Sequence, residues 1–79
     1  MRAKVKLYGT LRRHIPDYQH AQGIEVEIPD GATAKDLLAL LEIPKSRGAV
    51  VIAGGRILKV DDIVPHGVPV NIVQTIGGG

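Results

Sequence analysis

Residues Arg2 to Tyr8, RAKVKLY, put Ala3, Val5 and Leu7 on one side of an extended chain and Arg2, Lys4 and Lys6 on the other. Successive side chains of a strand point to opposite faces, so this period of two predicts a strand with one buried and one wet face. Gly9 ends it. Ile24 to Ile28, IEVEI, repeats the alternation with the opposite charge, and a hairpin between the two would set Glu25 and Glu27 among Lys4 and Lys6. The stretch between them, Thr10 to Gly23, carries Leu11, Arg12, Arg13, Ile15, Pro16 and Tyr18 and reads as a long loop with room for a helical turn.

Pro29-Asp30-Gly31 is a turn signal. Thr33 followed by Asp36 resembles a capping box, with the carboxylate at the positive end of a helix. The spacing of Ala34, Leu37, Leu38 and Leu41 predicts a helix from Ala34 to about Glu42, stopped by Pro44, whose apolar stripe packs on the sheet. Ala49 to Ala53, AVVIA, is a continuous apolar run of the kind that forms a buried strand, and Gly54-Gly55 turns it into a short strand at Arg56-Ile57-Leu58. After the turn Pro65-His66-Gly67, the residues Val68, Val70, Ile72 and Ile76 share one face of a last strand, with Pro69 at its start because a mid-strand proline removes a ladder hydrogen bond. Strand, strand, helix, strand, short strand, strand is the order of the α+β class known as β-grasp or ubiquitin-like, a mixed four- to five-stranded sheet with one main helix on one face and its first and last strands parallel at the centre. The expected division is a domain over residues 1–76 and a flexible glycine tail over 77–79.

At 79 residues there is room for one domain, and its apolar set is aliphatic, with no Phe, no Trp and only Tyr8 and Tyr18. The absence of cysteine removes disulfides, thiolate metal sites and a cysteine nucleophile, and fits the cytoplasm. No apolar run reaches the roughly 20 residues of a membrane span, so a soluble chain with no membrane partner is expected. Ten Lys and Arg against eight Asp and Glu is close to balance, which argues against nucleic acid.

The usual catalytic constellations fail on spacing. His14, His20 and His66 sit in separate loops with no familiar ligand spacing, so no metal is expected. Asp61-Asp62 are neighbours that point apart, and Ser46 is the one serine, among Lys45, Arg47 and Gly48. Gly54-Gly55-Arg56 lacks the spaced lysine and serine or threonine of a phosphate-binding loop and precedes a strand. Arg12-Arg13 with the two tyrosines is the nearest approach to an RNA surface, but the aromatic interleaving of a stacking platform is missing.

What remains is Gly77-Gly78-Gly79. A glycine run can be a frayed end, a cloning remnant or the start of a linker. Following directly on a strand, it can also be a tether: three extended residues reach roughly 10 Å and, without Cβ atoms, enter a slot too narrow for other residues.

VKLYGTLR at Val5 to Arg12, VEIPDGATAKDLLALL at Val26 to Leu41 and VPVNIVQTIGGG at Val68 to Gly79 together resemble the ubiquitin-like sulfur carriers, the MoaD/ThiS-like family of the molybdopterin-synthase small subunit and the thiamine-biosynthesis sulfur carrier. The resemblance covers nearly the whole chain. It departs from the family's pattern at Gly67-Val68, where Gly-Asp is frequent, and at Tyr8, where phenylalanine is. It implies that Gly78 and Gly79 are the diglycine, that Gly77 fills a preceding small-residue position, and that the carboxylate of Gly79 is the reacting group. It further implies a carrier and no enzyme, with no bound cofactor. A ubiquitin-activating-type adenylating partner would use ATP and Mg²⁺, a persulfide would supply the sulfur, and a synthase large subunit or a thiazole synthase would accept it. The length and the VKLYGTLR start favour the molybdenum- or tungsten-cofactor branch over thiamine. A protein modifier joined through Gly79 to lysines, and an interaction or RNA-binding module with an inert tail, are the alternatives.

A carrier also needs a docking surface. The candidates are Ile57, Leu58, Val73 and Ile76, rimmed by Arg56 and Lys59; the alternative is that these aliphatic residues are core.

Overall fold

The computed structural model describes residues 1–19, 21–44 and 47–74. The first alternating stretch is β1 (Arg2–Leu7) and the second is β2 (Ile24–Glu27), paired antiparallel with Lys4 opposite Glu25 and Arg2 opposite Glu27. Ala3, Val5 and Leu7 are buried, as the period of two requires. Lys6 lies beyond the β2 ladder, so its cross-strand partner is Asn71 and no glutamate. The ion pair between the two strands is diagonal, Arg2 to Glu25 at 3.6 Å, and exposed, which limits it to about 0.2–1 kcal/mol; the Met1 ammonium, just before β1, adds a second at 3.6 Å from Glu27. Where the chain enters β2, Gly23 has φ +69°, and a Cβ there would stand 2.7 Å from the Val5 carbonyl oxygen, so no other residue fits without displacing β1.

The connecting loop contains a 3-10 helix, Gly9–His14, that buries Leu11 completely. Tyr18 fastens the loop: its hydroxyl accepts from the Leu7 N–H at 2.6 Å and donates to the Leu7 carbonyl at 3.3 Å.

Helix α1 spans Ala34–Leu40. Its N-terminus is fully satisfied. Thr33 Oγ1 accepts from the Asp36 N–H at 3.2 Å, the Asp36 carboxylate accepts from the Thr33 N–H at 3.0 Å, and the Ala34 and Lys35 amides donate to the carbonyls of Asp62 and Val60. The bond from the Thr33 N–H, then that with its hydroxyl, holds the Asp36 carboxyl below the usual carboxylate range.

The helix ends before the expected Glu42, and proline is not what ends it. Glu42 adopts φ +57°, its N–H donates to Ala39 and the Ile43 N–H to Leu38, the paired bonds of a Schellman motif, while Ile43 buries its side chain beside the last turn.

Strand β3 (Ala49–Ala53) turns through Gly54 and Gly55, at φ +57° and +82°, into β4 (Arg56–Leu58); two positive φ angles are what a two-residue hairpin turn demands. Strand β5 (Val70–Gln74) starts after Pro69, runs parallel to β1 and antiparallel to β3, and gives the five-stranded order β2-β1-β5-β3-β4. This is the β-grasp topology. Val5, Leu7, Leu37, Val51, Val64, Val70 and Ile72 form the centre of the core between the sheet and α1. β3 is not buried on both sides, as its apolar run suggested: Val51 and Ala53 face the core, while Val50 and Ile52 are half-buried on the open face.

Candidate functional site

The candidate chemical centre, Gly79, lies outside the described residues, as do Gly77, Gly78 and the docking candidate Ile76. The last described residue, Gln74, lies in a strand paired on both sides, opposite Ala49. Thr10 donates its hydroxyl hydrogen to Gln74 Oε1, and the Arg47 guanidinium reaches the carbonyl and hydroxyl oxygens of Thr10 at 3.4 Å. The base of the tail is therefore fixed by the 3-10 helix and the start of β3. From Gln74 to Gly79 an extended chain spans at most roughly 17 Å.

The strand register sorts the docking candidates. Ile57 stands opposite Ile52, and Val50 opposite Val73, so these four share the open face of the sheet. Ile57 is 71% exposed. Tyr8, whose hydroxyl donates to Asn71 Oδ1 at 3.4 Å, borders them. Leu58 is different: opposite Val51, it turns toward the core and is half-buried against it. Arg56 stands opposite the core-facing Ala53 and so lies on the Leu58 side of β4, not on the open face, although it is exposed at this edge strand; Lys59, just after the strand, is exposed. Val50 and Ile52 were missed in the sequence because a run of five apolar residues does not reveal that one of its faces is uncovered.

The remaining sequence candidates do not converge. His14 Nε2 lies 3.0 Å from the Leu41 carbonyl oxygen, which can only accept, so that nitrogen carries the hydrogen. His66 approaches Asp30 at 3.6 Å, Asp62 accepts from the Lys59 N–H at 2.8 Å, and His20, Lys45 and Ser46 lie outside the described residues. Among the described residues no three histidine or carboxylate side chains gather into a metal-binding group. No helix among them is long and apolar enough to cross a membrane. Gly9, Arg12, Arg13 and Tyr18 line a polar cleft of about 370 Å³.

No family model and no curated protein matches the sequence. Solved structures do match the fold, two of them as follows. A Pyrococcus furiosus protein provisionally assigned as molybdopterin converting factor, subunit 1, is 18% identical over 96% of this chain and 99% of its own, with a TM-score of 0.70. SAMP1 from Haloferax volcanii is 16% identical over the full length of both chains, with a TM-score of 0.69. At such identities the likeness is one of fold, and the chain has the ubiquitin-like β-grasp architecture of these two proteins.

Proposed function

We propose that this protein is a sulfur carrier whose reacting group is the carboxylate of Gly79, residues 1–76 serving as the β-grasp domain and 77–79 as its tether. The observation that carries the reading is three glycines following, after two residues, a central strand of a fold shared with a molybdopterin converting factor subunit. A carboxylate is a poor electrophile. A partner adenylating enzyme, with ATP and Mg²⁺, would let a Gly79 oxygen attack the α-phosphorus and expel pyrophosphate. A persulfide sulfur would then attack the acyl carbon and expel AMP, and a thiol would cleave the resulting sulfur–sulfur bond to leave a thiocarboxylate. The carrier supplies no catalytic side chain and binds no cofactor itself. The destination proposed is molybdopterin or tungstopterin over thiamine, for the length of the chain and its VKLYGTLR start, and the Pyrococcus neighbour's assignment as a molybdopterin converting factor subunit agrees with the first of these.

The open-face residues Val50, Ile52, Ile57 and Val73 form the proposed docking surface, with Lys59 after β4, Arg56 on the other face of this edge strand, and Ile76 as a further candidate from the sequence. An apolar patch with a charged rim supports a contact firm enough to insert the tail and weak enough to release it. The test of the reading is ATP–pyrophosphate exchange by a ubiquitin-activating-type enzyme of the same organism. Exchange should require this chain and should cease when residues 77–79 are removed; exchange that persists without them would refute it.

A further inference from the structure

Charge is unevenly neutralised at the two ends of the sheet. At the end where β1 and β2 meet the start of α1 the described ion pairs gather: the Met1 ammonium lies 3.6 Å from Glu27 and 3.4 Å from Asp30, and Arg2 pairs with Glu25. At the end where β1 and β5 finish stand Lys6, Arg12, Arg13 and Arg47, against Asp17 and Glu42. Arg12 and Arg13 are exposed and meet no carboxylate among the described residues.

These arginines do not hang from a free loop. Leu11 between Thr10 and Arg12 is wholly buried, Thr10 is bonded to Gln74, and His14 to the Leu41 carbonyl, so the 3-10 helix is held at three points. Arg12, Arg13 and Tyr18 line the cleft together, and the Tyr18 hydroxyl is engaged with Leu7. Holding the arginines on a fixed backbone lowers the ordering cost of forming paired hydrogen bonds with an anion.

We propose that the Arg12–Arg13 cleft docks carboxylate side chains from an acidic protein surface, and so orients the partner that receives the C-terminal segment; the second half of this statement rests on the carrier reading. Three observations select that occupant. Gly9 of the cleft adjoins Tyr8 at the border of the open-face patch, so one partner can cover both. Thr10 ties the cleft's helix to the last residue of β5, so a partner approaching that exit meets these arginines. The planar guanidinium fork matches a carboxylate in two parallel bonds, whereas single-stranded nucleic acid needs several stacking rings and the cleft has one. Cationic clusters at such an entrance raise association rates in a salt-dependent way.

The test needs no partner enzyme. The ¹⁵N-labelled protein is titrated at low salt with a short blocked glutamate-rich peptide, with inorganic phosphate and with a single-stranded oligouridylate. The peptide should shift the amides of Gly9–His14 and Tyr18, and the double variant Arg12→Glu/Arg13→Glu should bind it about tenfold more weakly while keeping its melting temperature. The control Arg2→Glu/Lys35→Glu, with the same change in net charge, should bind as the parent does. Shifts spread equally over Lys4, Lys35 and Lys59, or equal loss in both double variants, would overturn the proposal. Tighter binding of phosphate or oligouridylate at the same amides would overturn it in favour of a phosphate site. If the chain is never adenylated, the carrier reading falls while the titration still decides whether the cleft is a carboxylate site.

Discussion

Glu42 offers a sharp test of how α1 is ended. It is exposed, has no side-chain partner among the described residues, and holds φ +57° at the position after the helix cap. For an L-residue with a Cβ, the left-handed conformation costs about 1–2 kcal/mol, which Glu42→Gly removes. Against this, glycine loses more freedom on folding, about 0.5–1 kcal/mol. The net expectation is a stabilisation of about 0.5–1 kcal/mol, or roughly 4 °C in melting temperature for a domain of this size. Glu42 also places a negative charge at the negative end of the helix, which alone can contribute about 0.3–1 kcal/mol, so charge must be separated from backbone. Glu42→Gln and Glu42→Ala remove the charge and keep the Cβ. Thermal denaturation followed by circular dichroism should rank Glu42→Gly above both. If the glutamine or alanine variant matches the glycine variant, the gain is electrostatic and the argument from φ is wrong; if the glycine variant melts at or below the parent, the Schellman assignment itself fails.

Leu11→Ala should cost about 2–5 kcal/mol in denaturant unfolding, because Leu11 is wholly buried and leaves a cavity under the 3-10 helix. The Asp36 carboxyl is held below its usual range, so its contribution to stability is complete above the unfolded value near 3.8 and is lost as pH falls through the lower folded value. Asp36→Asn should therefore flatten the acid side of a melting-temperature profile and leave its slope at neutral pH unchanged. Ile57→Asp, at a side chain 71% exposed, should leave the melting temperature within about 2 °C of the parent. It should also weaken the adenylating partner's affinity, as measured by calorimetry.

The parts of this fold that were legible in the sequence are those governed by near neighbours. The alternation of β1 and β2, the Thr33–Asp36 box and the Gly54-Gly55 turn each depend on residues a few positions apart, and each stands where it was expected. Three features were decided at longer range. The helix stops at Leu40 because Glu42, a residue with no turn preference of its own, takes the left-handed position that glycine usually fills. Leu58 and Ile57 look alike in sequence, and only the pairing of β4 with β3 sends one toward the core and the other to the open face. The 3-10 helix carries no periodic signal, yet a single buried leucine organises it. For the site, the glycine tail is read from sequence alone, whereas the cleft needs Tyr18 folded back onto Leu7 to give Arg12 and Arg13 a wall.

The central claim is that the chemistry belongs to the carboxylate of Gly79 and to no side chain. Its most direct test incubates the protein with the adenylating enzyme, ATP, Mg²⁺ and a persulfide donor and follows intact mass, with fragmentation to locate the change. The account predicts a gain equal to the difference between one sulfur and one oxygen atom, confined to Gly79, and no gain when a single residue is appended after it, since the carboxylate then lies beyond the position the nucleotide requires. A gain that survives the extra residue, or one that maps to a side chain, would contradict it. Linkage of Gly79 to lysines of other proteins in place of thiolation would make the protein a modifier instead.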